Sequence, residues 1–126
     1  MKKSTIYWIV GIVVVLLIVA VSAYGYYESK KPGPYDNLAT CLKTDGVLFY
    51  GAFWCPHCAA QKAEFGKSAK LLPYVECSTP DGNAQTQVCI DKDIESYPTW
   101  VFPNGDRVTG VQDLSYLAAT TSCPLN

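Results

Sequence analysis

The sequence predicts an α/β domain, a mixed sheet flanked by helices, behind a single N-terminal transmembrane helix. Three observations carry this. The run Ile6–Ala23 is apolar and holds no charge. The stretch Gly46–Phe53 is continuously apolar and aromatic, and a helix-forming stretch beginning at Pro56 follows it at once. Beyond that, strand-like and helical stretches alternate and end in a hairpin signal and a last helix.

Composition bounds the reading. The 126 residues suffice for one ordinary domain. With 49% hydrophobic and 17% charged residues the chain lies outside the disordered class. A net charge of −1 lacks the basic surplus that nucleic acid demands, so no nucleic-acid partner is expected. The 6 cysteines are many for a reducing cytosol and ordinary for an oxidising compartment.

The elements follow in order. The 18 residues Ile6–Ala23, at ~1.5 Å each, approach the thickness of a hydrocarbon core. Tyr7 and Trp8 at one end, and Tyr24, Tyr26 and Tyr27 at the other, suit the two membrane interfaces. A cleaved signal peptide is the rival reading: Lys2 and Lys3 form a basic start, and Val21-Ser22-Ala23 offers a small-residue cleavage site. The apolar run exceeds the usual ~7–15 residues of such a peptide, which favours a retained anchor over residues 1–27. Lys2 and Lys3 before the run and Lys30 and Lys31 after it leave orientation tied. The cysteines break the tie and place the rest of the chain on the extracytoplasmic side, periplasmic or cell-surface.

Residues 28–36, polar with two prolines and a glycine, read as a linker; 37–126 then form the folded domain. Asn37–Thr44 reads as a short helix with Asp36 as N-cap. Gly46–Phe53 reads as a strand buried on both faces, as in a parallel sheet. Pro56 to about Lys70 reads as a helix with Pro in its first turn, weakened by Gly66. Tyr74–Cys77 is a second strand, Thr79–Asn83 a turn cluster, and Ala84–Ile94 contains a helix. Thr99–Phe102 and Arg107–Val111 flank Pro-Asn-Gly-Asp as a hairpin. Leu114, Leu117 and Ala118 line one side of a last helix, and Phe65, Leu71, Leu72, Trp100 and Phe102 read as core.

The chemistry lies in Trp54-Cys55-Pro56-His57-Cys58. Cys55 sits where the strand gives way to a helix N-terminus, whose free N–H groups and dipole favour negative charge. Cys58, one turn on, is the more buried thiol, and the spacing lets the two sulfurs bond to each other. Thiols in such motifs fall from about 8.5 to ~3.5–7.5, and a stabilised thiolate makes the disulfide an oxidant. His57, the only histidine, stands between them and would stabilise the thiolate when protonated. A zinc half-site would need a second such pair, and none exists; c-type haem needs His directly after the second cysteine, where Ala59 stands. No metal is expected.

Strand, WCPHC and helix, with Ser96-Tyr97-Pro98-Thr99 ahead of a hairpin, resemble the thioredoxin superfamily. The stretches Tyr50–Cys58, Pro73–Cys77, Ser96–Trp100 and Thr109–Val111 further resemble the thioredoxin-like domain fused to, or paired with, bacterial homologues of vitamin K epoxide reductase. The Pro-His pair is also that of the disulfide oxidase DsbA. The resemblance implies a cis Pro98 packed beside Cys55, with Trp54, Tyr97, Pro98 and Thr99 lining a substrate groove. It implies a domain that oxidises cysteines of exported proteins and is recharged by a quinone-linked membrane partner. The domain itself would hold no cofactor, since the four-helix quinone-reducing domain is missing. The acid that thioredoxins carry six residues ahead of the first cysteine is Phe49 here; Glu64 and Glu76 are the remaining candidates for taking the Cys58 proton. The leading strand of a full thioredoxin fold is also missing between Tyr35 and Gly46, so a trimmed version is expected.

With Cys55 and Cys58 paired, the other four cysteines allow three pairings. The resemblance places a pair in the regions of Cys77 and Cys89, with a relay of electrons as the alternative to a structural role. Cys41 and Cys123 would then tie the first and last helices of the domain. Two competing classes remain: a reductase or isomerase fed with electrons across the membrane, and a metal- or protein-binding module without turnover.

Overall fold

A computed structural model describes all 126 residues, Met1–Asn126. The chain divides into two compact units, Met1–Lys31 and Pro32–Asn126.

The first unit is one helix, α1 (Lys3–Lys30), which runs three residues into the stretch read as linker. It buries none of its residues, and it is long and apolar enough to cross a membrane; a signal sequence passes the same test of length and composition. At its C-terminal end Lys31 pairs with Glu28 at 2.7 Å, and Lys30 lies over the Tyr26 ring. Cations in the last turn complement the partial negative charge of a helix C-terminus.

The second unit is a four-stranded mixed sheet with helices packed on it. Its elements are α2 (Asp36–Thr44), β1 (Leu48–Gly51), α3 (Pro56–Phe65), β2 (Tyr74–Glu76), α4 (Gln87–Ile90), β3 (Thr99–Val101), β4 (Arg107–Thr109) and α5 (Leu114–Thr121). The strand order is β2-β1-β3-β4. β1 pairs parallel with β2 and antiparallel with β3, and β3 pairs antiparallel with β4. This is the predicted order of elements, and no strand precedes β1.

Local chemistry moves several boundaries. Asp36 is the first helical residue of α2 rather than its cap; Tyr35 takes the cap position, and the Asp36 carboxylate accepts the Gly33 amide instead. The stretch read as one helix from Pro56 to Lys70 breaks at Gly66, which adopts φ +54°, and continues as a 3-10 helix over Gly66–Leu71. Glycine takes that conformation without a Cβ penalty, so the break falls there. β1 is shorter than the apolar run that encodes it, because Gly46 turns into it with φ +82° and the chain leaves the sheet after Gly51. The helix within Ala84–Ile94 is a single turn.

β1 is buried on both faces. Phe49 stacks on Trp100 at 4.5 Å in a cluster with Phe65, Leu38, Leu42 and Leu117, while Tyr50 joins Cys77, Cys89 and Ile94 on the other side. Truncating one such ring costs about 3–5 kcal/mol, against about 0–1 for an exposed ion pair. The position of β1 is therefore set by aromatic packing. Phe102 and Leu72 are buried as expected, and Leu71 packs at the margin.

Two disulfides close the domain. Cys41–Cys123 joins α2 to the segment after α5, and Cys77–Cys89 clamps the segment between β2 and α4. Cys41–Cys123 spans 82 residues of sequence, so its loss releases most of the domain's chain entropy. Replacing both by Ala is expected to lower unfolding free energy by about 4–5 kcal/mol in guanidinium titration. An unchanged midpoint would show that the bridge does not constrain the unfolded chain.

Candidate active site

Strand register gathers the site. Gly51, the last residue of β1, lies opposite Glu76 at the end of β2, and Tyr50 lies opposite Thr99 at the start of β3. The segments Ala52–Cys55, Cys77–Thr79 and Ser96–Pro98 therefore converge at one end of the strands.

Cys55 is the N-cap of α3, and its sulfur accepts the Cys58 amide at 3.3 Å. Pro56 follows in the first turn, where its missing N–H costs no helical bond. The Cys55 sulfur thus faces the open donors of a helix start. It also lies 3.7 Å from the Tyr97 carbonyl oxygen. The Tyr97–Pro98 bond is cis, Pro98 is fully buried, and Tyr97 packs on the cluster of Ala52, Cys55 and Cys58. Thr99 is buried, its hydroxyl donating to the Ser96 carbonyl, so its side chain supports the loop from within. His57 is exposed on the first turn of α3.

Cys55 and Cys58 are both free thiols. Cys58 is 1% exposed, and burial first, then its hydrogen bond with Cys55, pushes its thiol up to about 12. Both sulfurs are buried, Cys55 at 5% exposure, and they differ in place: one caps a helix and the other is held protonated behind it. Gly51 makes room for this: a Cβ there would sit 2.9 Å from both the Cys58 sulfur and Cε2 of Tyr74. No side chain fits at that position without moving one of them.

Near Cys58 stand two groups that the sequence left unassigned, Lys62 and Tyr74. Lys62, one turn further along α3, lies over the Tyr74 ring at 3.4 Å, and its charge opposes the rise of the Cys58 thiol. The Tyr74 hydroxyl donates to Glu76 at 2.7 Å; burial and that bond push it far above the ordinary phenol range. The other Glu76 oxygen accepts the amides of Phe53 and Ser78. Of the two acids considered earlier, Glu64 is exposed on α3, whereas Glu76 is tied into the loop that carries Cys55. Phe49 is a core residue. Lys62 stands at the i+4 spacing from Cys58, a signal present in the sequence; the Tyr74–Glu76 pair follows from same-face positions on a strand.

Trp54 is 53% exposed, and its ring meets Tyr97 edge-on at 6.0 Å. It is a wall beside Cys55 rather than a core ring. Cys77 and Cys89 are paired with each other, as are Cys41 and Cys123, so neither bridge involves Cys55 or Cys58.

A thiol raised to about 12 is protonated at neutral pH. Iodoacetamide is therefore expected to label Cys55 and spare Cys58 in the reduced protein. Lys62→Met removes a charge that lowers Cys58 and should move the onset of its labelling to higher pH. Equal labelling of both cysteines at neutral pH, followed by peptide mass spectrometry, would contradict this geometry.

Residues 35–121 match the family model for thioredoxin. Over 104 residues, 78% of this chain and 27% of the relative, the sequence is 41% identical to a protein named Thiol-disulfide oxidoreductase LTO1 from Arabidopsis thaliana. Over 75 residues, 50% of this chain and 17% of the relative, it is 33% identical to Thioredoxin domain-containing protein 5 homolog from Drosophila melanogaster. The chain spans 27% or less of the length of these relatives. Fold, motif and match agree: the chain belongs to the thioredoxin family and is homologous to a thiol-disulfide oxidoreductase.

Proposed function

We propose that this chain is a membrane-tethered thiol–disulfide oxidoreductase whose domain faces the extracytoplasmic side and oxidises cysteines of exported proteins. The observation that carries the reading is the seat of Cys55: its sulfur caps α3, accepts the Cys58 amide at 3.3 Å and faces the cis Tyr97–Pro98 loop. Stabilising the thiolate of the dithiol form weakens the disulfide form, which makes the pair an oxidant. The two further disulfides favour an oxidising compartment, and α1 has the length and composition of an anchor.

The steps balance as follows. A substrate thiolate attacks the sulfur of Cys55 in the Cys55–Cys58 disulfide. The Cys55–substrate disulfide forms, and Cys58 leaves as a thiolate and takes up a proton. A second substrate thiolate attacks the substrate sulfur of that mixed bond, and Cys55 leaves as a thiolate held by the α3 N-terminus. The substrate has lost two electrons and the Cys55–Cys58 pair has gained them. A partner disulfide in the membrane removes them, and a quinone-reducing protein of the vitamin K epoxide reductase or DsbB type fits that need. The domain needs no cofactor of its own. Trp54 and Tyr97 wall the site, Pro98 and Thr99 hold the Tyr97 loop from within, and His57 stands exposed in the helical turn that Cys55 caps.

Cys58→Ala removes the resolving thiol. Expressed in a cell that exports it, this variant is expected to accumulate mixed disulfides through Cys55, seen as thiol-sensitive high-mass bands. The further change Cys55→Ala should abolish them. A binding module without turnover would trap nothing, and that result would end the proposal.

A further inference from the structure

The hairpin between β2 and α4 does more than close a loop. Ser78 and Gln85 face each other across an antiparallel bridge, and the Thr79 amide bonds the Ala84 carbonyl at 2.9 Å. The Cys77–Cys89 disulfide clamps the base of this unit. From one side, the Ser78 hydroxyl accepts the Trp54 indole N–H at 2.9 Å. That hydroxyl donates its own proton to the Thr79 carbonyl, so an oxygen lone pair is left for the indole. From the other side, the Gln85 amide nitrogen donates to the Tyr97 hydroxyl at 2.7 Å and to the Ile94 carbonyl at 2.6 Å. At the tip, a Cβ on Gly82 would come within 3.8 Å of both Phe53 and Trp54.

Trp54 and Tyr97 are the two rings that flank Cys55. Trp54 is half exposed, so core packing does not orient it. Its hydrogen bond to Ser78 and its edge contact with Tyr97 do. We propose that the disulfide-clamped hairpin is a frame, with Ser78 and Gln85 as positioning residues that hold the aromatic walls of the groove for an extended protein segment with apolar side chains beside its cysteine. This rests on the oxidase reading for its substrate class. It adds that selectivity for protein thiols over small thiols is set from a segment that carries neither reactive cysteine.

The test uses the full chain in detergent micelles, with Ser78→Ala and Gln85→Met and with Ser78→Thr as the conservative control. The substrate probe is a reduced dithiol peptide with aromatic residues flanking its cysteines; glutathione is the small-thiol comparison. Losing one such hydrogen bond is worth about fivefold. KM for the peptide should rise by about that factor in either variant, with kcat and the glutathione equilibrium unchanged. The double variant should cost less than the product of the two, because both bonds hang on one hairpin. Ser78→Thr should restore KM. Independently of turnover, the Trp54 indole proton should exchange with solvent faster in Ser78→Ala, by NMR. Unchanged KM together with unchanged indole exchange would overturn the frame. So would an equal loss toward glutathione, which would place the effect on the sulfurs. If the wild type oxidises no peptide while the indole exchange still responds to Ser78→Ala, the oxidase reading fails and the frame's hold on Trp54 stands.

Discussion

The pairing of β1 with its two neighbours determines where the sulfurs lie. β1 is pinned by Phe49 on one face and Tyr50 on the other, and its register puts Gly51 opposite Glu76 and Tyr50 opposite Thr99. A one-residue slip would exchange the two faces and take Phe49 off its stack on Trp100. With the register held, three chain segments meet at the end of β1. The helix that starts there presents its open N–H groups to Cys55, and Gly51 leaves the space that Cys58 fills. The placement of the two thiols therefore traces back to the aromatic burial that fixes β1.

Three cysteine pairs divide three tasks. Cys41–Cys123 closes the longest stretch of chain and ties α2 to the C-terminus. Cys77–Cys89 holds a small hairpin that a domain this short has too little core to stabilise. Cys55 and Cys58 remain as free thiols. The separation is geometric: Cys55 and Cys58 sit at a helix N-terminus, whereas the two other pairs join segments distant in sequence.

Much of this was legible before any coordinates. The apolar run of α1, the doubly buried run of β1 and the Pro-initiated α3 are signals written in consecutive residues, and so are WCPHC and the Asn-Gly hairpin. The misplacements also have physical reasons. Asp36 looked like a cap because its residue type favours that role, yet Gly33 captured its carboxylate. Gly66 looked like a weak helical residue and instead took positive φ. The surroundings of Cys58 and the hold on Trp54 depend on contacts across strands and loops. Glu76 was named only as one of two acids; Ser78 and Gln85 carried no sign at all. Their roles arise from a register that no local pattern encodes.

The central proposal is that the seat of Cys55 at the α3 N-terminus makes this pair an electron acceptor. The equilibrium reduction potential of Cys55–Cys58, measured against glutathione on the full chain in detergent, tests it most directly. The account predicts a value near ~−120 to −180 mV, the range of oxidant and isomerase proteins. A value near ~−270 mV, that of thioredoxin, would contradict it and make the same geometry serve a reductase.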